Sequence, residues 1–503
     1  MSDFRRSRAE VPPYFPEGTD PQWLPLTPLE QMAQTDYDVL IVGTGAGGGA
    51  VLWRLCEGLK DSGKRIGVIE AGDLLLPTHG MNLPTSGWAL SSIGNRFFPI
   101  GDFLPQYSAA RQFFGLGGRT LNWGIAAPRM HGSDMIHWPV PLREMEKYYK
   151  IAEQAMFVSH MFAQGSTLSE ITVNRLWQNG FPEAVFLPMA ADLAQTKYGE
   201  LHSNVYFSSI LFLARALKLR AYDLAVRARA VQIITENGKA AGVRAVSSDK
   251  KWYDLKAKTV VLSASTLENP RILLNSGIQG HAVGHYLTNH SGVEAWGTMN
   301  KEPFPEITGT LALLIPGTEF RPYQVQIQGF INGGYPFYPS VYHYSIDKPV
   351  SDISDYVMWA FGKVESRFEN RVGLSPNLRD EYGVPMIEVD FSYSNRDLEV
   401  IRLMSQALVQ VSEAMDAPIN IKNGRLDMST WIPGRDFHEC GTCRMGDNPL
   451  TSTTNRFGQV HGVPGLYAAD NSVLPTLGAA NPTLTAVALA IRTADYLIER
   501  LNA

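Results

Sequence analysis

The hydrophobic residues near the start of the chain form two short continuous runs with a helically spaced stretch between them. The runs are residues 39–42 and 66–69, and apolar side chains recur between them from Val51 to Leu59. Continuous apolar runs are typical of strands buried on both faces, whereas recurrence every three to four residues is typical of a helix. The pattern therefore predicts a strand–helix–strand unit of about thirty residues.

Further along, the pattern predicts a small meander followed by a strand and a helix. The meander spans Val226 to Leu255, with strands over 228–236 and 242–246 and a two-residue turn at Asn237-Gly238. Residues 260–264 are predicted to form a buried strand, and the helix after it runs from Glu268 to Asn275, with Gly277 as its stop.

The C-terminal segment predicts a long amphipathic helix, because apolar residues line one face from Leu484 to Leu501. Asn481 is placed to cap this helix, and Pro482 suits its first position. Residues 291–430 differ: they contain alternating apolar and polar segments, which predicts antiparallel strands. The alternation is found over 294–299, 324–330 and 386–393.

Composition narrows the class of protein. The 503 residues exceed one ordinary core, and a content of 45% hydrophobic and 18% charged residues is that of a globular protein. A net charge of -5 gives no reason to expect a nucleic-acid partner. No run of about twenty apolar residues is present, so no membrane span is expected. Arg5-Arg6 is not followed by the apolar core of a signal peptide, and three cysteines are too few for a disulfide framework, so we expect a cytoplasmic location.

The turn after the first strand carries a Gly-x-Gly-x-x-Gly motif at Gly43, Gly45 and Gly48. In a strand–helix–strand unit these glycines permit a tight turn, a close approach of a pyrophosphate, and close packing of helix on strand. The phosphates would lie at the helix N-terminus, where unpaired N–H groups favour an anion. Glu70, at the end of the second strand, is placed to receive ribose hydroxyls. The motif predicts a dinucleotide site but does not separate FAD from NAD.

A second group of residues with chemical potential lies near the C-terminus. His438 stands in the segment His-Glu-Cys-Gly-Thr-Cys-Arg-Met-Gly, and Asn481 stands in Ala-Asn-Pro-Thr. A neutral imidazole, with an unperturbed pKa of about 6.5, suits removal of a hydroxyl proton. Asn481 can hold the same hydroxyl by a hydrogen bond.

Several segments resemble glucose–methanol–choline (GMC) oxidoreductases, and they occur in that family's order from about residue 37 to the C-terminus. Residues 115–123 resemble the family's second flavin-contacting loop, and residues 467–476 with 481–483 resemble its C-terminal flavin segment. Residues 260–277 and 370–393 are similar to a strand–helix stretch and to strands of the family's substrate domain. Within the family, His438 and the Asn-Pro-Thr at 481–483 resemble the branch of pyranose 2-oxidases and bacterial glycoside 3-oxidases.

The resemblance implies an α/β (α+β) fold, a Rossmann-like FAD-binding domain with an inserted antiparallel-sheet substrate domain. Residues 1–36 are rich in proline and charge, which predicts an arm lying on the surface. The expected division of the rest is FAD-binding parts over 37–150, 220–290 and 431–503, a mixed, helical segment near the substrate domain over 151–219, and the substrate domain over 291–430.

The resemblance also implies roles for individual residues. His438 is the expected catalytic base and Asn481 its polar partner. The expected FAD contacts are Gly43, Gly45, Gly48, Glu70, Gly117, Gly118, Arg119, Asn122, Trp123, Val226, Asp470, Pro482 and Thr483. Asn122 stands where pyranose oxidases carry the histidine that links covalently to the flavin, so we expect non-covalent FAD. The helix beginning at Pro482 would favour negative charge on the reduced flavin by about 0.3–2 kcal/mol.

The expected reaction is oxidation of a secondary alcohol of a sugar or glycoside, at carbon 3 or carbon 2, with O2 or another acceptor reoxidising the flavin. The alternatives are a non-sugar alcohol as substrate, a flavin-binding protein without turnover, and a dithiol reductase. The last rests on Cys440 and Cys443, which with His438 could also imitate a metal site. We favour structural thiols and predict no metal.

Three aromatic residues are candidates for the substrate pocket: Trp123, Trp359 and Phe361. The aromatic stretch 335–344 fits either a cover over the active site or an ordinary packed contact. His285 and His290 are interpreted as structural or near the flavin.

Overall fold

A parallel sheet assembled from distant parts of the chain forms the nucleotide-binding half of the protein. The structure is a computed structural model that describes residues 23–82, 97–99, 106–193, 205–300, 311–329 and 353–502. Strand Tyr37–Val42 lies between Ile66–Ile69 and the end of Trp252–Leu262, and all three are parallel. Asp223–Ala225 and Leu466–Ala468 extend this parallel set on its two sides. The predicted strand–helix–strand unit is therefore present, with helix Ala46–Gly58 between its strands.

The meander is attached to the same sheet through a shared strand. Ala228–Glu236 and Lys239–Ser247 pair antiparallel, and Lys239–Ser247 pairs in turn with the first half of Trp252–Leu262. We expected a separate strand over 260–264, but one strand of 11 residues serves both structures. Its first half alternates between exposed and buried positions and its last four residues are all buried, which is why the sequence pattern changes within it.

A second sheet of six antiparallel strands forms the other half. Its strand order is Met428–Thr430, Ser291–Asn300, Ile353–Gly362, Tyr323–Gly329, Ala312–Ile315 and Val185–Phe186. The alternation over 294–299 and 324–329 thus corresponds to strands, as predicted, and the third alternating segment forms Pro385–Asp390. Phe330 and the aromatic stretch 335–344 lie outside the described residues.

The two faces of this sheet have different chemistry. One face carries Val293, Val325 and Met358 and packs on helix Asn395–Ala414, which begins with a capping box between Ser394 and Asp397. The alternate positions point to the opposite face, where polar and aromatic side chains predominate. They include Glu294, Trp296, Gln324, Gln326, Gln328, Trp359 and Phe361.

The remaining helices and strands complete the two halves. The other helices in the described ranges are Leu29–Met32, Leu142–Met156, Thr167–Gln178, Ile210–Leu219, Glu268–Asn275 and Thr483–Asn502. The other strands are Phe97–Pro99 with Arg111–Phe113, Val158–Ser159 with Met189–Asp192 and Val205–Tyr206, Arg371–Arg379 with Pro385–Asp390, and Ile421–Lys422 with Arg425–Leu426. None of these helices is long and apolar enough to cross a membrane.

Several expected segment limits coincide with element ends, and others do not. Strand Ser291–Asn300 begins where the substrate domain was expected to begin, but the limit at 150 falls inside helix Leu142–Met156. The described part of the N-terminal arm is not simply laid on the surface, because Leu24, Leu29 and Met32 are buried in the main core.

Candidate active site

A large cavity lies between the parallel sheet and the polar face of the six-stranded sheet. Its volume is about 1350 Å³. That exceeds the roughly 300–1,000 Å³ of a typical small-molecule site, so it has room for a dinucleotide and a second ligand. The walls come from the loops after the parallel strands, segment 112–126, the six-stranded sheet and segment 435–439.

The glycine loop has the shape that a dinucleotide requires. Gly43 has a φ of +97°, which a residue with a side chain rarely adopts. A Cβ on Gly48 would lie 2.0 Å from the carbonyl oxygen of Gly43, so only glycine lets the helix start this close to the strand. A Cβ on Gly45 would meet nothing within 4 Å, and Gly45 lines the cavity. Open space over this backbone and the helix N-terminus beside it fit a pyrophosphate.

Glu70 lines the cavity beside this loop. Its Oε2 accepts hydrogen bonds from the backbone N–H (3.0 Å) and hydroxyl (2.6 Å) of Thr44, and its Oε1 accepts from the Gly72 N–H at 2.8 Å. A carboxylate has about four lone-pair positions, so these three bonds fix the group and leave capacity for one more donor. That remaining capacity fits a ribose hydroxyl.

The second expected flavin loop abuts the first. The Gly117 N–H donates to Thr44 Oγ1 at 2.9 Å, and a Cβ on Gly118 would approach Gly45 Cα at 2.9 Å. Residues Gly118–Leu121 form a 3-10 turn, after which Asn122 and Trp123 line the cavity. The two loops therefore build one continuous wall.

Arg119 connects this wall by hydrogen bonds to the segment that contains His438. Its guanidinium donates to Glu439 Oε2 at 2.7 Å, to the Phe437 carbonyl at 2.8 Å and to the Arg111 carbonyl at 2.9 Å. The side chain also lines the cavity.

The structure places the other expected cofactor residues in different ways. Asp470 and Thr483 line the cavity, and the Asp470 carboxylate accepts from Ser265, Asn269 and Ser472. The expected residues that do not line the cavity are Gly48, Gly117, Val226 and Pro482. Ala228, Arg229 and Ala230 line it in place of Val226.

His438 lines the cavity and contacts a second histidine behind it. Its Nδ1 lies 2.9 Å from Nδ1 of His290, and 3.8 Å from Oδ2 of Asp436. Burial and the positive charge of Arg119 lower the pKa of His438 to about 3. Burial and the neighbouring His438 also lower the pKa of His290 well below its usual value. Both imidazoles are therefore neutral at ordinary pH.

The histidine pair determines which nitrogen can take a proton. A hydrogen bond between two neutral Nδ1 atoms needs a proton on one of them only. If His438 donates, its Nε2 is left as the basic nitrogen; if His290 donates, Nε2 of His438 already carries a proton. A base at His438 therefore requires that His438 donate to His290.

Asp436 is a buried carboxyl group next to this pair. Its Oδ2 accepts from the His290 backbone N–H at 2.8 Å and its Oδ1 accepts from Asn289 Nδ2 at 3.0 Å. Burial, with the charge of Glu439 as a second cause, raises the pKa of Asp436 to about 7. His290, Asp436 and His438 offer ligand atoms within 4.8 Å of one another. We interpret them as a proton network, because the two Nδ1 atoms are at hydrogen-bond distance and the carboxylate already accepts two protein donors.

Asn481 does not have the capping role expected from the sequence. The helix begins at Thr483, and the Ala486 N–H donates to the Pro482 carbonyl at 2.8 Å, so Pro482 occupies the capping position and Asn481 lies before it. Instead Asn481 Oδ1 accepts hydrogen bonds from Gln324 Nε2 at 2.9 Å and Gln326 Nε2 at 2.5 Å. The side chain lines the same cavity as His438.

The wall opposite the nucleotide loops is the polar face of the six-stranded sheet. Glu294, Trp296, Trp359 and Phe361 all line the cavity from this face. Glu294 is held by Ser429, by Trp431 Nε1 at 3.0 Å and by Arg435 at 3.1 Å. The expected pocket residues Trp359, Phe361 and Trp123 thus share one cavity.

Comparison with known proteins identifies the family. Two family models, both described as GMC oxidoreductase, match residues 106–292 and 366–490, together more than half of the chain. The chain belongs to the GMC oxidoreductase family. This GMC oxidoreductase is therefore an FAD-type enzyme acting on alcohols or carbohydrates, and the family supports the flavin cofactor that the resemblance implied.

Two curated relatives and one solved structure are similar to it over most of their length. The C-glycoside 3-oxidase of Arthrobacter globiformis is 27% identical, over 80% of this chain and 77% of that protein. The 2-methyl-1,2-propanediol dehydrogenase of Mycolicibacterium austroafricanum is 25% identical, over 92% and 96%. Pyridoxine 4-oxidase from Mesorbium loti has a TM-score of 0.67 at 16% identity, covering 92% of this chain and 99% of that one, which shows a shared fold.

The two cysteines of the His438 segment are buried in this GMC oxidoreductase. Cys440 and Cys443 are both fully buried, and burial raises the pKa of each thiol above its usual value. A reactive dithiol and a zinc ligand both require the thiolate form, which burial disfavours at these two cysteines. This environment fits structural thiols.

Sequence reasoning missed four residues of the site. Asp436 was not singled out, although it lies two residues before His438, and His290 was interpreted only as structural or near the flavin. Gln324 and Gln326 were treated as part of an alternating strand. Their signal was the run Gln-Val-Gln-Ile-Gln, in which the polar positions of a strand are uncharged amides rather than the charged residues of a solvated face.

Proposed function

We propose that this GMC oxidoreductase oxidises a secondary alcohol of a sugar or glycoside, at carbon 3 or carbon 2, to the keto-sugar. The observation that carries the proposal is that His438 and Asn481 line one cavity together with the polar and aromatic face of the six-stranded sheet. Relatives named as a C-glycoside 3-oxidase and a pyranose 2-oxidase support it.

His438 is the general base in this proposal. Its Nε2 takes the proton of the reacting hydroxyl while its Nδ1 donates to His290. The lowered pKa keeps the ring neutral before the reaction, so Nε2 is unprotonated when the substrate binds. The same burial disfavours the protonated ring, which the Asp436 carboxylate 3.8 Å away would stabilise. Asn481 holds the oxygen of the same hydroxyl, and FAD, when bound, accepts the hydride that leaves the carbon.

Non-covalent FAD would be held by the walls already described. Gly45 and the start of helix Ala46–Gly58 would face the pyrophosphate, and Glu70 the ribose. Asn122 cannot form the bond that a histidine makes to the flavin at this position in pyranose oxidases. The N-terminus of helix Thr483–Asn502 reaches the cavity at Thr483 and would stabilise negative charge on the reduced ring.

The remaining wall suits a carbohydrate. Sugar rings present C–H faces that pack on aromatic rings and hydroxyl groups that need buried polar partners. The cavity supplies Trp359 and Phe361 for the first and Glu294 for the second.

A non-sugar alcohol is the second candidate substrate. It is favoured by the similarity to 2-methyl-1,2-propanediol dehydrogenase, which extends over nearly all of both chains. That relative is named a dehydrogenase. The same test therefore also decides whether O2 or another acceptor reoxidises the flavin of this protein.

Anaerobic mixing of the purified yellow protein with free sugars, aryl glycosides and simple alcohols tests the proposal. We expect a sugar or glycoside to bleach the flavin. Prompt recovery in air would assign an oxidase, and slow recovery would assign a dehydrogenase that uses another acceptor. Bleaching by a simple diol and by no carbohydrate would overturn the sugar assignment.

A further inference from the structure

Strand Tyr323–Gly329 buries three glutamines on a single face. Gln324, Gln326 and Gln328 are each 1% exposed, and the residues between them, Val325 and Ile327, are buried in the apolar core on the other face. An unpaired amide costs several kcal/mol to bury, so a row of three requires hydrogen-bond partners.

The glutamine row ends on Asn481. Gln328 Nε2 donates to Gln326 Oε1 at 3.3 Å, and Gln326 Nε2 donates to Asn481 Oδ1 at 2.5 Å. Gln324 Nε2 donates to the same Asn481 Oδ1 at 2.9 Å. These bonds join residues 155 and 157 positions apart in sequence, so they form only when the two halves of the molecule meet.

The two donors use the full accepting capacity of the asparagine oxygen. An amide oxygen has two lone pairs, and Gln324 and Gln326 each occupy one. The part of the Asn481 side chain left for a ligand is its NH2 group, which can only donate. Because Asn481 is 8% exposed and lines the cavity, this donor is available to a substrate.

We infer that Gln324 and Gln326 are positioning residues that hold Asn481 with its N–H groups, and not its oxygen, toward the reacting hydroxyl. The inference rests on the proposed function, because it assumes that the hydroxyl lies between Asn481 and His438. In this orientation Asn481 stabilises the negative charge that grows on the substrate oxygen as His438 removes its proton. A donor aimed at such an oxygen is worth on the order of 10²–10³ in rate in other enzymes.

Gln326→Glu is the informative substitution, since a carboxylate cannot donate. Ionised Glu would instead accept from Asn481, turn its amide over and present the asparagine oxygen to the cavity. We expect the saturating rate of flavin bleaching to fall at least about tenfold relative to wild type near pH 8, with KM changed by less than about threefold. The deficit should shrink as the pH falls and the glutamic acid becomes a donor again.

Gln324→Met and Gln459→Glu complete the set. Gln324→Met removes one donor without adding charge, and we expect a pH-independent loss of about three- to tenfold in the saturating rate of flavin bleaching.

Gln459→Glu is the control. Gln459 lies away from the cavity, and its Oε1 accepts from the Tyr467 hydroxyl at 3.0 Å. The Gln459→Glu control preserves that acceptor and should retain wild-type rates. Visible flavin absorbance and thermal unfolding of each variant measure loading and folding.

The substrate is first chosen as whichever compound in the panel bleaches the wild-type flavin, so failure of the sugar assignment is scored separately from this inference. A wild-type rate for Gln326→Glu near pH 8 would overturn it, because the asparagine nitrogen would then be donating to residue 326. A loss confined to KM would also overturn it, since Gln326 would then bind substrate directly.

Discussion

Asp436→Asn tests whether the buried carboxylate stabilises the protonated form of His438. Asp436 Oδ2 lies 3.8 Å from His438 Nδ1 and 3.9 Å from His290 Nδ1. Two unit charges about 4 Å apart attract by about 4 kcal/mol at an effective dielectric constant of about 20. A transition state with the proton half transferred would gain about 2 kcal/mol, which is roughly 30-fold in rate.

The pH dependence follows from the two pKa values. His438, with a pKa of about 3, stays neutral over the working range, so its own titration does not limit the rate. Asp436, with a pKa of about 7, is protonated below that pH and charged above it. The bleaching rate of the wild type should therefore rise roughly 30-fold as the pH increases through about 7.

The assay is rapid anaerobic mixing at saturating substrate from about pH 5 to about pH 9. Asp436→Asn should show no step and should match the low-pH rate of the wild type at every pH. Asp427→Asn is the matched control, because Asp427 does not line the cavity. If the Asp436→Asn rate equals the wild-type rate at high pH, or if its step near pH 7 persists, the electrostatic reasoning is refuted.

Four further outcomes are expected. His438→Ala should keep the yellow flavin but lose about 10²–10⁴ in bleaching rate, whereas His281→Ala, at an exposed position, should keep the wild-type rate. Gly48→Ala should abolish flavin binding, because its Cβ would clash with a carbonyl oxygen at 2.0 Å, whereas Gly63→Ala, whose Cβ meets nothing within 4 Å, should bind flavin normally; absorbance of the purified proteins decides. Acid precipitation should leave the flavin in the supernatant, and a yellow pellet would contradict non-covalent binding. Dialysis against a chelator should leave the rate unchanged, and restoration by added metal after a loss would refute the proton-network interpretation of His290, Asp436 and His438.

The sequence predicted most of the elements around the site because each depends on a local pattern. The continuous run before Gly43 reflects a strand with apolar neighbours on both faces. The alternation around Gln326 reflects a buried strand with the apolar core on one face and the polar cavity wall on the other. Both patterns are visible within a few residues. The extent of Trp252–Leu262 was harder to predict, since its pattern changes where it leaves the meander and enters the parallel sheet.

The hydrogen bonds that orient the proposed catalytic groups could not be predicted in this way. His290 and His438 are 148 residues apart, and nothing in either local segment specifies the other. A capping role was predicted for Asn481 because Asn followed by Pro is typical of the start of a helix. It was wrong because two glutamines from the other half of the molecule reach the same oxygen.

Together, the histidine pair and the glutamine–asparagine hydrogen bonds give the cavity one hydrogen-bond acceptor and one donor at defined positions. With His438 donating through Nδ1 to His290, its Nε2 is an acceptor; with Gln324 and Gln326 donating to Asn481, the asparagine NH2 is a donor. A hydroxyl group is matched to this pair, because its hydrogen can donate to Nε2 while its oxygen accepts from the amide. A ketone has no hydrogen to donate, so the product is matched only while His438 still carries the proton it has taken. Loss of that proton therefore breaks one of the two hydrogen bonds to the product, and deprotonation of His438 favours release of the ketone over its retention.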